Sequence, residues 1–229
     1  MMIMGTTLKR YLIPKFWNVK RKENVFVVKP MPGPHKIKES IPLQVILRDI
    51  LKFAETAKEA KQILKSEKIL VDKKIRKEPK YPVGLMDVIE IPDAKKYYRI
   101  DVNKNGLYLN TIKEDDADKK LCKITGKTTL KGGLTQINLH DGRNIILKKN
   151  AYKAGDSLLI HLPDQKILKH FKLQKGEKAT IISGKNIGIR GSIEDIKRRK
   201  TMLEKSTATI KTGEKEIQTL LDYVMVGEI

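Results

Sequence analysis

Turn-forming pairs interrupt the chain from Tyr97 onward. Asn105-Gly106, Asp141-Gly142 and Pro163-Asp164 each stand between two short runs: "YYRIDV" and "GLYLNTI", "TQINLH" and "NIIL", "SLLIHL" and "KILKHF". Asn-Gly and Asp-Gly supply the positive φ angles that tight hairpins need. Strands that alternate apolar and polar residues bury one face and wet the other. Residues 95–171 are therefore expected to form a barrel-like antiparallel β-domain of short strands. Residues 172–229 repeat the pattern in "KATIIS", "GSIEDI", "TATIKT" and "LLDYVMV", which predicts a second small β-barrel.

The first ninety residues differ. "KPMPGPHK" sets Pro30, Pro32 and Pro34 around Gly33. Proline and glycine at this density exclude regular structure, so residues 1–40 read as an arm, with Phe16 and Trp17 as its anchors. Residues 40–55 predict a helix with Ser40 as its cap and Pro42 in its first turn. Leu43, Ile46, Leu47, Ile50, Leu51 and Ala54 give it one apolar stripe. "TAKE" then starts a second helix with a capping box, Thr56 to Glu59. Short strands follow, with turns expected at Asp72–Lys74 and Val83-Gly84. The fold class is α+β and multidomain. It comprises a basic arm (1–40), a small two-helix-and-strand module (41–94), a central β-rich domain (95–171) and a C-terminal small barrel (172–229).

Charge narrows the partner. The chain has 48 Lys and Arg against 27 Asp and Glu, a net charge of +21. The arm carries +7, the module +2, the central domain +8 and the last domain +4. Such an excess repels itself unless a polyanion neutralises it and releases counterions, so nucleic acid is the expected partner. Only 5% of residues are aromatic, which makes the cores aliphatic and argues against base stacking as the main binding mode. Cys122 stands alone, so no intrachain disulfide forms, which fits a reducing cytoplasm. It lies in an alternating stretch and reads as a small buried hydrophobe. Neither a signal peptide nor an apolar run of membrane-spanning length is present.

Catalytic signatures fail on context. "ITGKTT" ends like a phosphate-binding loop, but Leu121 stands where the first glycine belongs. "GKNIGIRG" has glycines at 184, 188 and 191, yet a strand follows it rather than the helix a dinucleotide site requires. His35, His140, His161 and His170 lie at no metal-ligand spacing, and His140 reads as structural. Asp115, Asp116 and Asp118 lack the spacing of a calcium loop and read as a solvated loop or short helical turn. No enzyme activity, cofactor or metal is expected.

The module resembles a small RNA-binding unit of a bacterial small-subunit ribosomal protein, of pseudouridine synthases and of tyrosyl-tRNA synthetases. The matching residues are Leu43 to Leu51, Ala60, Ile63, Leu64, and "KILVDKKIRKEPKYPVGLMDVIEI" with Asp72, Lys73, Gly84 and Asp87 in place. "KGEKATIISGKNIGIRGSIEDI" resembles a KOW motif, which occurs in ribosomal proteins and transcription elongation factors as an SH3-like small barrel. The two in this order, with "PKFW", "GPHK", "YPVGLMDVI" and "KLCKI", resemble the archaeal and eukaryotic small-subunit ribosomal protein S-four-e family. Eukaryotic members continue past the final barrel, and this chain's stop at Ile229 looks archaeal.

The resemblance implies a structural, ribosomal-RNA-binding component of the small subunit. Its partners would be that RNA and neighbouring ribosomal proteins, with no membrane. Alternatives are a KOW-containing elongation factor, an RNA-modifying accessory protein or a DNA-coating protein. The arm is expected to order against RNA, through Lys9, Arg10, Lys15, Arg21, Lys36 and Lys38. Candidate contacts on the module are Arg48 and Lys52 on its first helix, Lys58, Lys61 and Lys65 on its second, and Lys73, Lys74 and Arg76 at the turn. In the last domain they are Lys185, Asn186 and Arg190 on the glycine loop and Lys197, Arg198, Arg199 and Lys200 beyond it. Gly184, Gly188 and Gly191 are expected to give that loop its positive φ angles.

Overall fold

A computed structural model of the chain describes residues 7–17, 19–148, 151–199, 201, 203–213 and 215–228. The chain divides into two compact units, 1–101 with 106–118, and 102–105 with 119–229.

In the first unit the arm shares the module's core. Ile13, Trp17 and Val27 are buried in one apolar cluster with Ile41, Leu43, Leu47 and Ile89. Trp17 is the pin: it is 2% exposed, and its indole N–H donates to the Ser40 carbonyl at 2.9 Å. Leu8–Lys9 pairs antiparallel with Phe26–Val27. His35 lies against Asp87, Nε2 to Oδ2 at 2.9 Å. The arm was expected to order against RNA, with Phe16 and Trp17 as its anchors. It is held within the protein by several contacts acting together: the burial of Ile13, Trp17 and Val27, the pairing of Leu8–Lys9 with Phe26–Val27 and the His35–Asp87 contact, in a segment whose prolines already restrict the unfolded chain.

Ser40 does not cap a helix. It lies in the strand Ser40–Pro42, which pairs with Pro82–Gly84, and its hydroxyl donates to the Lys36 carbonyl at 2.9 Å. An α-helical turn at Leu43–Val45 runs on as a π-helix over Ile46–Ile50. Leu51 N–H accordingly donates to the Ile46 carbonyl, and Lys52, at φ 56°, ends the segment. Leu43, Ile46 and Leu47 are fully buried and Ala54 nearly so, so the apolar stripe faces inward although the helix is shorter than its pattern. The second helix, Ala57–Lys65, begins as predicted: Thr56 Oγ1 accepts from Glu59 N–H at 3.2 Å, and the Glu59 carboxylate reaches back to Thr56 N–H.

The module's sheet has the strand order 74–75, 70–71, 88–91, 96–103, 106–112. Asp72 and Lys73 both have positive φ, 52° and 62°, so the turn is a two-residue hairpin and Lys74 already belongs to the return strand. Val83-Gly84 is strand, not turn. The chain reverses just after it, where Met86 has φ 64° and Asp87 N–H reaches the Gly84 carbonyl. The acidic stretch forms a short helix, Glu114–Ala117.

The second unit holds two curled five-stranded antiparallel sheets, each with its own core. The first has the order 144–147, 135–139, 119–129, 157–161, 166–171 and buries Cys122, Ile124, Ile137, Leu158 and Ile160. The second has the order 215–220, 207–212, 190–197, 178–181, 224–226 and buries Ala179, Ile181, Ile193, Ile210 and Val224. The long strand Lys119–Thr129 pairs with one neighbour up to Lys123 and with another from Ile124, with a register shift between Ile124 and Gly126. Such a bulge bends a strand and lets one sheet curl. The turns at Asp141-Gly142 and Pro163-Asp164 stand between the strands as expected.

Lys123, on that strand, donates to the carbonyls of Leu221 and Asp222 at 3.2 and 2.7 Å. Burial lowers its pKa to about 8. The folded state therefore disfavours the ammonium: the penalty is full below pH 8 and fades as pH rises toward the unfolded value of 10.5. The unfolding free energy of the parent chain minus that of Lys123→Met should therefore rise between pH 7 and pH 10. Urea titrations at both pH values would check this, and a flat difference would contradict it.

Candidate nucleic-acid interface

The predicted contacts separate by what holds each side chain. Arg10 is 2% exposed and lies 3.6 Å from Glu23 and 4.0 Å from Asp49. It serves the fold and cannot reach a ligand, a correction to its expected role. Arg48 is held by Asp49 through two bonds, of 3.3 and 2.8 Å. Lys73 is held by Glu90 at 3.1 Å and Asp118 at 2.6 Å. Burial opposes its ammonium, but the two carboxylates outweigh burial and raise its pKa, while burial raises that of Glu90 despite Lys73. Arg76 stacks its guanidinium 4.4 Å from the Tyr81 ring centroid. These four cations are committed within the protein, so the row Arg48–Lys52 and the turn present less free charge than their spacing predicts.

The second helix behaves differently. Lys58, Lys61 and Lys65 are exposed and make no ion pair among the described residues. Their spacing of three and four places them along one helical face, and the inward face carries Ala60 and Leu64. Lys52 and Lys74 are exposed beside this module. In the arm, Lys9, Lys15, Lys36 and Lys38 are exposed, and Arg21 is exposed while donating to the Ile13 carbonyl at 3.3 Å. Lys80, exposed in the loop before Pro82, escaped the sequence reading because no periodicity marks it; only the fold brings it beside Lys61 and Lys65.

In the last domain, Gly184 and Gly188 have φ of 90° and 81°. A Cβ on Gly188 would also lie 2.2 Å from the Asn103 carbonyl carbon. Gly191 has a different role from the one expected. It lies in the strand Arg190–Lys197, and a Cβ there would come within 2.2 Å of the Lys211 carbonyl oxygen, so it permits close strand approach rather than a turn. Lys185 is exposed and Asn186 half-buried on the loop. Arg190, Lys197, Arg198 and Arg199 are exposed. Lys200 lies outside the described residues.

One further cluster lies in the central domain. Cys122, His140 and Asp141 could converge on a cation among the described residues. Their atoms are already occupied. The Lys120 ammonium lies 2.9 Å from Asp141 Oδ2, Arg143 Nε lies 3.2 Å from it, and His140 Nδ1 accepts from Lys123 N–H at 3.2 Å. Two protein cations on one carboxylate leave no charge for a metal, and the cluster is a buried ion pair.

Among the described residues no helix is long and apolar enough to cross a membrane. Three family models match the chain: the RS4NT domain over residues 6–38, the S4 domain over 41–89 and the ribosomal family S4e over 94–167. The small ribosomal subunit protein eS4 of Methanocaldococcus jannaschii is 45% identical over 227 residues, covering 96% of this chain and 92% of the relative. The protein of that name from Methanothermobacter thermautotrophicus is 44% identical over 221 residues, covering 96% and 90%. The crystal structure of the 30S ribosomal protein S4e from Thermoplasma acidophilum matches with a TM-score of 0.71 at 33% identity, covering 82% of this chain and 94% of that one.

Proposed function

Because the chain belongs to the S4e family of small-subunit ribosomal proteins, we propose that it is a structural constituent of the small ribosomal subunit that binds its RNA. It acts by assembly rather than turnover, without a cofactor, on cytoplasmic ribosomes. Its partners are small-subunit ribosomal RNA and the proteins that neighbour it there. The observation that carries the RNA surface is the row Lys58, Lys61 and Lys65, exposed and without carboxylate partners among the described residues. Unpaired cations on a rigid helix suit phosphate oxygens, and RNA helices are read mainly by backbone and shape. The exposed lysines of the arm, Lys9, Lys15, Lys36 and Lys38, are further candidate contacts. The last domain, read as a KOW-type barrel, carries its own candidate contacts, Lys185 and the basic stretch from Lys197 to Arg199.

Reversing Lys58, Lys61 and Lys65 together to glutamate should weaken binding to small-subunit RNA by at least about tenfold and flatten the salt dependence. Filter binding across a salt series would measure both, with circular dichroism to confirm the fold. Unchanged affinity would remove this helix from the interface. Arg48 and Lys73 are unsuitable for such a test: a glutamate at 73 would join Glu90 and Asp118 and damage the fold itself. For the whole protein, cosedimentation with the small subunit through a high-salt sucrose gradient is the expected result. A chain that runs free or with RNA polymerase would overturn the ribosomal reading.

A further inference from the structure

The arm and the module form a groove that neither makes alone. Phe26, on the two-stranded ribbon of the arm, is 55% exposed, and Val25 beside it is 68% exposed. Phe26 lines a cavity of about 620 Å³, together with Val28, Pro79, Lys61, Lys65 and Lys80. That volume falls inside the roughly 300–1,000 Å³ of sites that take small organic groups. Lys61, Lys65 and Lys80 make no ion pair among the described residues, whereas Lys77, also in the lining, is held by Glu67 at 2.5 Å. Glu78 contributes the one carboxylate of the lining and accepts from Lys80 N–H at 3.3 Å.

What sets Phe26 apart is its place: an aromatic ring 55% exposed in a groove that several lysines also line offers an apolar face beside positive charge. An apolar protein segment would cover Phe26 but would leave three ammonium groups desolvated and unpaired, a costly arrangement. A paired RNA helix would satisfy the lysines but keeps its bases stacked inside, out of reach of the ring. One chemistry satisfies both halves of the groove. We propose that the groove receives a single unstacked base of the RNA, stacked on Phe26, with its flanking phosphates held by Lys61, Lys65 and Lys80. This rests on the RNA-binding reading above and adds to it a preference for an unpaired nucleotide at one place.

The test uses the full chain and two labelled RNAs: a hairpin with unpaired adenines in its loop, and its stem as a fully paired duplex. Phe26→Leu keeps apolar bulk and removes the ring face; Phe26→Trp keeps a larger ring. Stacking of one base on an aromatic side chain corresponds to about tenfold or more in affinity. Phe26→Leu should therefore weaken hairpin binding about tenfold more than duplex binding, without changing the salt slope. Phe26→Trp should retain hairpin affinity. Ultraviolet irradiation of the parent bound to the hairpin should attach a nucleotide to the peptide that contains Phe26. Several outcomes overturn the proposal. Equal hairpin affinity of parent and Phe26→Leu would show that the ring does not stack. Equal losses for hairpin and duplex would point to a folding effect. In assembled small subunits, a crosslink from that peptide to a protein instead of a nucleotide would assign the groove to a protein partner. If the parent bound neither RNA, the RNA-binding reading itself would fail, and this inference with it.

Discussion

Replacing Asp87 with alanine is expected to lower the unfolding free energy by about 3–5 kcal/mol, the usual cost of removing one member of a buried hydrogen-bonded pair. The Asp87 carboxylate is 2% exposed, accepts from Gly84 N–H at 2.9 Å and faces His35 Nε2 at 2.9 Å. Alanine would leave both groups buried without that acceptor. The packing around the pair is tight: a Cβ on Gly84 would come within 2.3 Å of the His35 ring. Few rearrangements can therefore let water in to replace the carboxylate. The effect should spread beyond the site, because His35 belongs to the arm and Asp87 to the module. The single tryptophan of the chain, Trp17, sits in the same core, so its fluorescence during urea unfolding reports the loss directly. A change below about 1 kcal/mol, the scale of an exposed pair, would show that the pair does not tie the arm down.

The second large effect is expected in the central domain. Lys120 is fully buried, and its ammonium lies 2.9 Å from Asp141, whose carboxylate is 2% exposed. Lys120→Met removes the charge and most of the hydrogen bonding but keeps the length of the side chain. It leaves the buried Asp141 carboxylate with Arg143 but without its fully buried partner, and should cost up to about 3–5 kcal/mol, the penalty of a buried charge left wholly unpaired. Joining Asp141→Leu to Lys120→Met should recover most of that loss, since a well-packed apolar pair is often as stable as the ion pair it replaces. Arg143, half-buried beside Asp141, can turn to water.

The pH dependence gives an independent readout. Burial works against the Asp141 carboxylate, but Lys120, His140 and Arg143 outweigh it and hold its pKa below the ordinary 3.8. The pair's stabilisation is thus fully present above pH 3.8 and is lost as pH falls through the lower folded value. The gap between parent and Lys120→Met, measured by denaturant titration, should be constant near neutrality and shrink in the acid limb. A gap that persists undiminished at the lowest pH would mean that the methionine acts through packing alone.

Much of the architecture was legible before any coordinates. The hairpins at Asp141-Gly142 and Pro163-Asp164 and the capping box at Thr56 are local devices, and each forms where its residues stand. Trp17 was expected to anchor rather than stack, and it is buried. The errors share one cause. Ser40 looks like a helix cap because cap preference is a local property, but pairing with Pro82–Gly84 recruits it into a strand. Gly191 looks like a turn residue beside Gly184 and Gly188, yet its reason is a carbonyl on another strand. The basic residues divide the same way. Sequence counts Arg10 and Lys73 as available charge, and only the fold brings Glu23 and Asp49 against the first and Glu90 and Asp118 against the second.

What the sequence by itself determined is therefore everything set by near neighbours: the short strands and their turns, the amphipathic second helix, the excess positive charge and the motifs of the family. The tertiary structure alone decided which charges remain free and where they gather. It folded the arm onto the module through Trp17 and His35, and so set Phe26 beside Lys61, Lys65 and Lys80. Those four residues span positions 26 to 80, and no periodicity links residues so far apart. Long-range burial and ion pairing depend on which surfaces meet, which is fixed by the free energy of the whole chain and not by any stretch of it.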